Sequence, residues 1–274
     1  MLLRESIKSI INKRIINQIF KILKISIITA TYNSSKSLKS CIDSVVMQDY
    51  GSIEYIIIDG KSSDSTTDIV NNYQATYSYI KMVSENDSGI YDALNKGLAL
   101  ATGDVIGFLH SDDLFPSNTI ISELASKINN DNLDGIYGDL QYVTKENTNK
   151  IIRFWKSCEF RPVLLKMGWM PAHPTLFLKK EIYLKHGQFN KSFEISADYD
   201  FMLRVLKDNT FKFGYLQKVI TKMRVGGASN RSIINIIKKT KEDYRAVRSN
   251  NIGGCFTVLQ KNTSKIKQFF TQKL

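Results

Sequence analysis

The sequence predicts an α/β fold with a doubly wound, Rossmann-like first half, a mixed central sheet and a C-terminal helical extension. Three observations carry this. Between residues 24 and 113 short β-branched runs alternate with amphipathic helical patterns, as βα units do. Each run stops at polar residues, where open α/β sheets gather their ligands. Beyond Pro116 strand and helix patterns mix, and the chain closes on a basic amphipathic stretch.

The first predicted strand runs from Lys24 to Thr29 and ends in Thr29-Ala30-Thr31-Tyr32-Asn33. A helix follows, with Leu38, Ile42, Val45 and Val46 on its apolar side. The second strand, Tyr55 to Ile58, stops at Asp59-Gly60, and a polar loop leads into another helix. The third, Ile80 to Val83, runs into Glu85-Asn86-Asp87-Ser88-Gly89, with Asp87 or Ser88 expected as N-cap of a helix bearing Ile90, Leu94, Gly97 and Leu98. The fourth, Val105 to Leu109, delivers His110, Ser111, Asp112 and Asp113. After it come a helix to about Lys127, strands over Gly135 to Val143 and Ile151 to Trp155, a Pro-punctuated loop from Gly168 to Phe177, and a helix starting at Ser196.

Composition bounds the function. The 274 residues are 43% hydrophobic, enough for a substantial core. Cys41, Cys158 and Cys255 form no CxxC pair, so neither a disulfide framework nor a zinc cluster is indicated, which suits a reducing cytoplasm. The net charge of +12 sits at the ends. Residues 207–274 carry 15 Lys and Arg against 3 acids, and residues 1–24 carry 6 against 1. No uninterrupted apolar core of a secretory signal opens the chain, and no run of 18 apolar residues occurs, so a soluble or peripheral protein is expected.

Asp112 and Asp113 are the pair the pattern turns on. Two anions at the rim of a core repel each other, and hard divalent cations take carboxylate oxygens, so Mn2+ or Mg2+ is the expected companion. The alternative is that they only open the turn before Pro116 and cap the helix after it. The other strand ends suit a nucleotide: carboxylates accept from base N–H groups or ribose hydroxyls, Thr and Asn bond base edges, and Tyr can stack. There is no GxGxxG, and Gly60-Lys61-Ser62 lacks the first glycine of a P-loop, so a diphosphate would need the metal. Asp198 and Asp200 with Tyr199 between them, near Trp169 and His173, suit an acceptor site with a general base, although helix capping explains one acid. His173 is a metal ligand, a substrate contact or a packed histidine, and a single His is most often packed.

Taken together, Thr29 to Asn33, Ile58 to Thr66, Gly89 to Gly97, Ala101 to Asp104 and Ser111-Asp112-Asp113 resemble the ordered motifs of family 2 glycosyltransferases, over about Lys24 to Val225. The chain is most similar to bacterial enzymes building O-antigen, capsule or exopolysaccharide units. The resemblance implies a GT-A fold, a nucleoside-diphosphate-sugar donor with uridine as the expected base, a divalent metal, and inversion at the anomeric carbon. It implies that Thr29, Thr31 and Asp59 hold the base, with Ala30, Tyr32, Asn33, Glu85 and Asp87 around the nucleotide. Asp112 would meet ribose or metal, Asp113 the metal with His173 as a further candidate, and Asp198 would be the base. Asp200, Trp169 and His173 fall on the acceptor side. Two positions depart from the family pattern: Gly60 replaces an acid, and Leu94 stands where many members have an Arg, leaving Lys96 as the cation expected near the diphosphate.

The expected organisation is a basic helix over 1–23, a GT-A domain over 24–225 and a basic helical extension over 226–274. In the extension Ile233, Ile236, Ile237, Tyr244 and Val247 share one predicted face. An anionic membrane surface on the inner side of the cytoplasmic membrane is the expected partner of the ends, giving access to a lipid-linked or oligosaccharide acceptor. A homodimer and a nucleic-acid-binding protein using the basic tail are the alternatives, although the carboxylate strand ends make nucleic acid an unexpected partner. A nucleotidyltransferase would show a glycine-rich phosphate loop that Thr29 to Ser35 does not offer.

Overall fold

A computed structural model describes residues 22–225 and 233–267. The expected N-terminal helix lies outside these residues, apart from its last two positions.

Four parallel strands, β1 (Ile25–Thr31), β2 (Ile53–Asp59), β3 (Ile80–Ser84) and β4 (Val105–Phe108), are linked by α1 (Leu38–Val46), α2 (Thr66–Gln74) and α3 (Ile90–Leu100). A two-residue strand β5 (Asp113–Leu114) and helix α4 (Ile120–Asn130) follow. Then come β6 (Gly135–Val143), β7 (Ile151–Trp155), α5 (Val163–Lys166), β8 (Phe177–Lys179), α6 (Lys180–His186), α7 (Ala197–Leu206), β9 (Phe213–Arg224), α8 (Ile233–Ser249) and α9 (Cys255–Lys267). The sheet order is β3-β2-β1-β4-β8-β6-β9-β5, with β7 on β6. It is mixed because β8, β7 and β5 run antiparallel to their neighbours.

Alternation along the strands explains why both faces are covered. Ile28, Ile56, Ile58, Ile106 and Phe108 face one core, with apolar residues of α3, α6, α7 and α8. Ile27, Tyr55, Ile57, Val105 and Leu109 face the other, under α1, α2 and α4. Strands buried on both faces read as continuous apolar runs, as these do. The strand order reverses between β1 and β4, and the carboxyl ends flanking that crevice carry Thr29 to Asn33 and His110 to Asp113.

The C-terminal helices belong to this core. Ala246 and Val247 of α8 and Val258 of α9 are buried against α7. The predicted face of α8 is thereby divided: Val247 points inward, while Ile236, Ile237 and Tyr244 are exposed. The inward stripe also carries Glu242, Asp243 and Asn250, which apolar periodicity could not reveal because it counts buried acids as surface. One cap also differs from expectation. Gly89, with φ of 122°, is the N-cap of α3, and Asp87 instead accepts the Gly89 amide at 3.0 Å.

Candidate active site

Register brings the first three strand ends level, pairing Thr31 with Asp59 and Asp59 with Ser84. Asp59 is fully buried, and its carboxylate accepts the Ser62 amide at 3.0 Å, the Ser62 hydroxyl at 2.5 Å and the Ser84 hydroxyl at 2.6 Å. It braces the loop after β2. Asn33, at φ of 47°, accepts the Ser63 amide at 2.9 Å and ties the end of β1 to the same loop. Thr29 donates to the Leu109 carbonyl at 2.6 Å and fixes where β4 ends. These residues, expected around a base, are engaged in holding the rim.

The space beside that rim lies at Gly60. A Cβ there would come within 2.6 Å of Asp87 Oδ2 and 3.3 Å of the Tyr32 ring, so any side chain would fill the gap between them. Tyr32 is 64% exposed, its ring available for stacking. Glycine in place of the family's acid thus leaves a slot bounded by a phenol ring and a carboxylate, with Ala30 buried in the adjoining strand end. Lys96 bonds Glu85 at 2.8 Å and the Asn86 carbonyl at 2.7 Å. Its ammonium holds the 85–87 loop in place.

Across the crevice, Asp113 is fully buried, and neither carboxylate oxygen has a hydrogen-bond partner. Burial drives its pKa well above the carboxylate range, the neighbouring charge of Asp112 adds to this, and Arg224 opposes it. Arg224, buried at the end of β9, donates to the Asp112 carbonyl at 2.7 Å and to Ser40 at 2.9 Å, so it shapes this turn. Thr31 Oγ1 and His110 Nδ1, on the two strand ends beside Asp113, are also buried and unpartnered. Buried polar atoms are normally paired, so these leave bonding capacity open at the strand ends.

The carboxylates fit a divalent cation. Both are hard oxygen donors, and Mg2+ in particular is held by one or two carboxylates plus substrate phosphates. The three-ligand set of Asp112, Asp113 and His173 is not assembled. Among the described residues no group of three His, Cys, Asp or Glu side chains is placed to hold an ion. His173 instead packs between Phe108 and Phe189, with ring centroids at 5.1 and 5.4 Å, and burial lowers its pKa to about 4. Its ring is packed in the core, as a single histidine most often is.

Asp198 stands in the first turn of α7, and the single phenol proton of Tyr91 of α3 is shared between the Ile195 carbonyl at 2.6 Å and the Asp198 carboxylate at 3.2 Å. Burial lowers the His110 pKa, and the charges of Asp112 and Asp198 both act against that. Asp200, two positions on, does not share this setting. It is buried, accepts Arg204 Nε and Asn250 Nδ2, both at 3.0 Å, and joins α7 to α8. Residues two apart on a helix point to opposite sides, which separates the roles of these acids. Trp169 is half-buried, packed on Phe160 and Tyr137 at 5.9 and 5.7 Å. The sequence reading missed Tyr91, Arg224 and Glu242. Tyr91 lies inside the Gly89 to Gly97 motif, and Glu242-Asp243 are the only acids after Asp208.

The profile of Glycosyl transferase family 2 matches residues 26–179. The chain belongs to that family. The glycosyltransferase is 29% identical over 212 residues to a PGL/p-HBAD biosynthesis glycosyltransferase of Mycobacterium bovis, covering 77% of this chain and 80% of that one. Pasteurella multocida chondroitin synthase is 26% identical over 235 residues, 84% of this chain but 23% of the synthase. Among solved structures, S. aureus TarS 1–349 superposes with a TM-score of 0.68 at 18% identity, over 92% of this chain and 75% of that one. The chain spans 44% of a longer TarS structure. Pyrobaculum calidifontis mannosyltransferase PcManGT, in complex with GDP-Man and Mn2+, gives 0.62 at 16% identity, over 92% and 76%. These likenesses are of fold: the transferase has the GT-A fold. Family membership displaces the nucleotidyltransferase and nucleic-acid readings of its activity.

Proposed function

We propose that the transferase moves a hexosyl or N-acetylhexosaminyl group, with inversion, from a uridine-diphosphate sugar to a hydroxyl of a growing cell-surface glycan, O-antigen or capsule in kind. The observation that carries this is Asp113, a buried carboxylate with both oxygens unpartnered at the start of β5, within electrostatic reach of the same Tyr142 phenol as Asp198. TarS has been solved with UDP and with UDP-GlcNAc, which supports the choice of donor.

Tyr32 stacks on the base, Asp87 accepts from its N–H edge, and Asp112 meets the ribose or the metal. Asp113, with Asp112 beside it, would hold Mn2+ or Mg2+, which supplies Lewis-acid charge to the leaving diphosphate. Asp198 takes the proton of the acceptor hydroxyl as its oxygen attacks the anomeric carbon. The bond from that carbon to the diphosphate breaks as the new one forms on the opposite face, so the configuration inverts.

The acceptor is proposed to be lipid-linked and reached at an anionic membrane surface. Ile234 and Ile237 of α8 are 75% and 52% exposed, Phe256 of α9 is 68% exposed, and Lys241 and Arg248 lie among them. This combination of apolar side chains and cations suits an interfacial position. No helix among the described residues is long and apolar enough to cross a membrane.

The test of the core reading is turnover of a panel of UDP- and GDP-sugars with and without Mn2+. Metal-dependent release of UDP from one donor is expected. Equal turnover in excess EDTA would refute the metal-dependent mechanism.

A further inference from the structure

The segment leading into Asp198 is held from the C-terminal helices to an unusual degree. The Glu242 carboxylate, buried on α8, accepts three consecutive backbone amides: Glu194 at 3.0 Å, Ile195 at 2.9 Å and Ser196 at 2.9 Å. Its neighbour Asp243, fully buried, accepts the Ser196 hydroxyl at 2.8 Å and pairs with Lys261 of α9 at 2.7 Å. The Lys261 ammonium in turn lies 3.2 Å from the centre of the Tyr199 ring. Arg245 donates to the Ser192 carbonyl at 2.8 Å and covers Phe193. From Ser192 to Asp200 the chain is thus fastened to α8 and α9, with Tyr91 reaching it from the donor side.

A helix start is ordinarily fixed by its own N-cap side chain. Here Ser196 is the N-cap of α7, but its hydroxyl makes no capping bond and is given to Asp243. Where α7 begins, and therefore where the Asp198 carboxylate sits, is set by Glu242. Charge-assisted bonds to backbone amides are among the stronger hydrogen bonds, and three of them on one carboxylate define both its position and that of the loop. Reaction rates depend steeply on such placement, since a shift of about 1 Å can cost on the order of a hundredfold.

We propose that Glu242 is a positioning residue for catalysis, and that α8 and α9 form part of the catalytic unit through it. This rests on the reading of Asp198 as the base, and the profile match ends at residue 179, before any of these groups. Glu242 touches no substrate. It acts by holding the loop and helix start from which Asp198 meets the acceptor.

The experiment uses the full chain and measures hydrolysis of whichever sugar nucleotide the wild type turns over fastest, with UDP binding in Mn2+ followed in parallel. Glu242→Ala is expected to lower kcat by about thirtyfold or more while KM and the UDP Kd stay within about threefold. Glu242→Gln keeps one carbonyl acceptor at full reach and is expected to recover to within about fivefold of wild type. Glu242→Asp, one methylene short, is expected to lose about tenfold. A folded Glu242→Ala variant with wild-type kcat, or a parallel loss of kcat and UDP affinity, would overturn the proposal. If Glu242→Ala does not fold, the Asp and Gln variants decide it: equal kcat in the two refutes the positioning role. Asp198→Asn is run alongside. Retained turnover there would remove the base assignment itself, whereas its loss with normal turnover in Glu242→Ala would count against Glu242 alone.

Discussion

Tyr91 and Asp198 are hydrogen-bonded across the crevice, phenol to carboxylate at 3.2 Å, although 107 residues separate them in the chain. Tyr91 lies in the first turn of the helix that follows the Asp87 loop, so the bond connects the proposed nucleotide side of the site to the proposed base. The phenol also bonds the Ile195 carbonyl, so its removal frees the loop and the carboxylate together. Tyr91→Phe is expected to reduce kcat by about tenfold, the equivalent of one hydrogen bond to a charged group, with UDP affinity unchanged. An unchanged or higher kcat would show that the bond restrains the base without orienting it.

At the opposite end of the strands, Glu54 ties three of them together. It is buried and accepts from Ser26 at 2.7 Å, the Thr102 amide at 2.8 Å and Lys81 at 3.0 Å. Burial pushes its pKa up, but the Thr102 amide, Ser26 and Lys81 outweigh it and hold the carboxyl at about 2, against an ordinary 4.5. A folded pKa below the unfolded one gives stability that is complete above pH 4.5 and lost as pH falls towards 2. Glu54→Gln is expected to cost about 3 kcal/mol at pH 6 and progressively less below pH about 4. Denaturation curves at several pH values check this, and a gap that stays constant down to pH about 2.5 would contradict it.

Asp243 and Lys261 form a buried ion pair whose members need each other. Burial lowers the Lys261 pKa to about 8 against the opposing pull of Asp243. Lys261→Met takes away the nearer of the two cations on Asp243 and leaves Lys239 at 3.1 Å, so it is expected to cost about 2–3 kcal/mol, whereas Lys261→Met with Asp243→Asn recovers a good part of that. Urea unfolding of Lys261→Met, Asp243→Asn and the double variant beside the wild type measures the coupling. Additive losses would mean that the pair does not act as a unit.

For the exposed apolar and basic side chains of α8, vesicle sedimentation is the direct check. Retention on anionic vesicles is expected, with loss on zwitterionic ones and at about 0.5 M salt, because each cation near the surface contributes about 1 kcal/mol before screening. Replacing Ile234 and Ile237 by Ser should weaken retention without changing soluble turnover. Equal failure to sediment with both lipid types would remove the membrane claim and leave the transferase reading intact.

Much of the first half was legible in the sequence. Alternating runs such as Ile25 to Thr31 and Ile53 to Asp59 show their period directly, whereas Asp113 does not end the run before it: β4 closes at Phe108, and Asp113 opens β5, paired with Met223 of β9. Partners distant in the chain were not legible. Asp59 and Asn33 have the residue types of ligands, yet Ser84, 25 residues on, binds Asp59 and the Ser63 amide, 30 residues on, binds Asn33. Lys96 looked free and is paired with Glu85. Asp198 and Asp200 look alike in sequence and differ in the structure because Arg204 and Asn250 reach only Asp200. Glu242 and Asp243 sit in a stretch whose charge reads as solvated surface, and only the packing of α8 on α7 turns them inward.

The central claim is that a buried carboxylate, Asp113, serves the donor and a half-buried one, Asp198, the acceptor, and Asp198→Asn set beside Asp113→Asn tests it most directly. With Mn2+ present, Asp198→Asn is expected to bind UDP within about threefold of wild type while sugar transfer falls by about a thousandfold or more. Asp113→Asn is expected to lose transfer together with the metal dependence of UDP binding. Wild-type transfer by Asp198→Asn, or UDP binding by Asp113→Asn that still responds to Mn2+ as wild type does, would contradict the account.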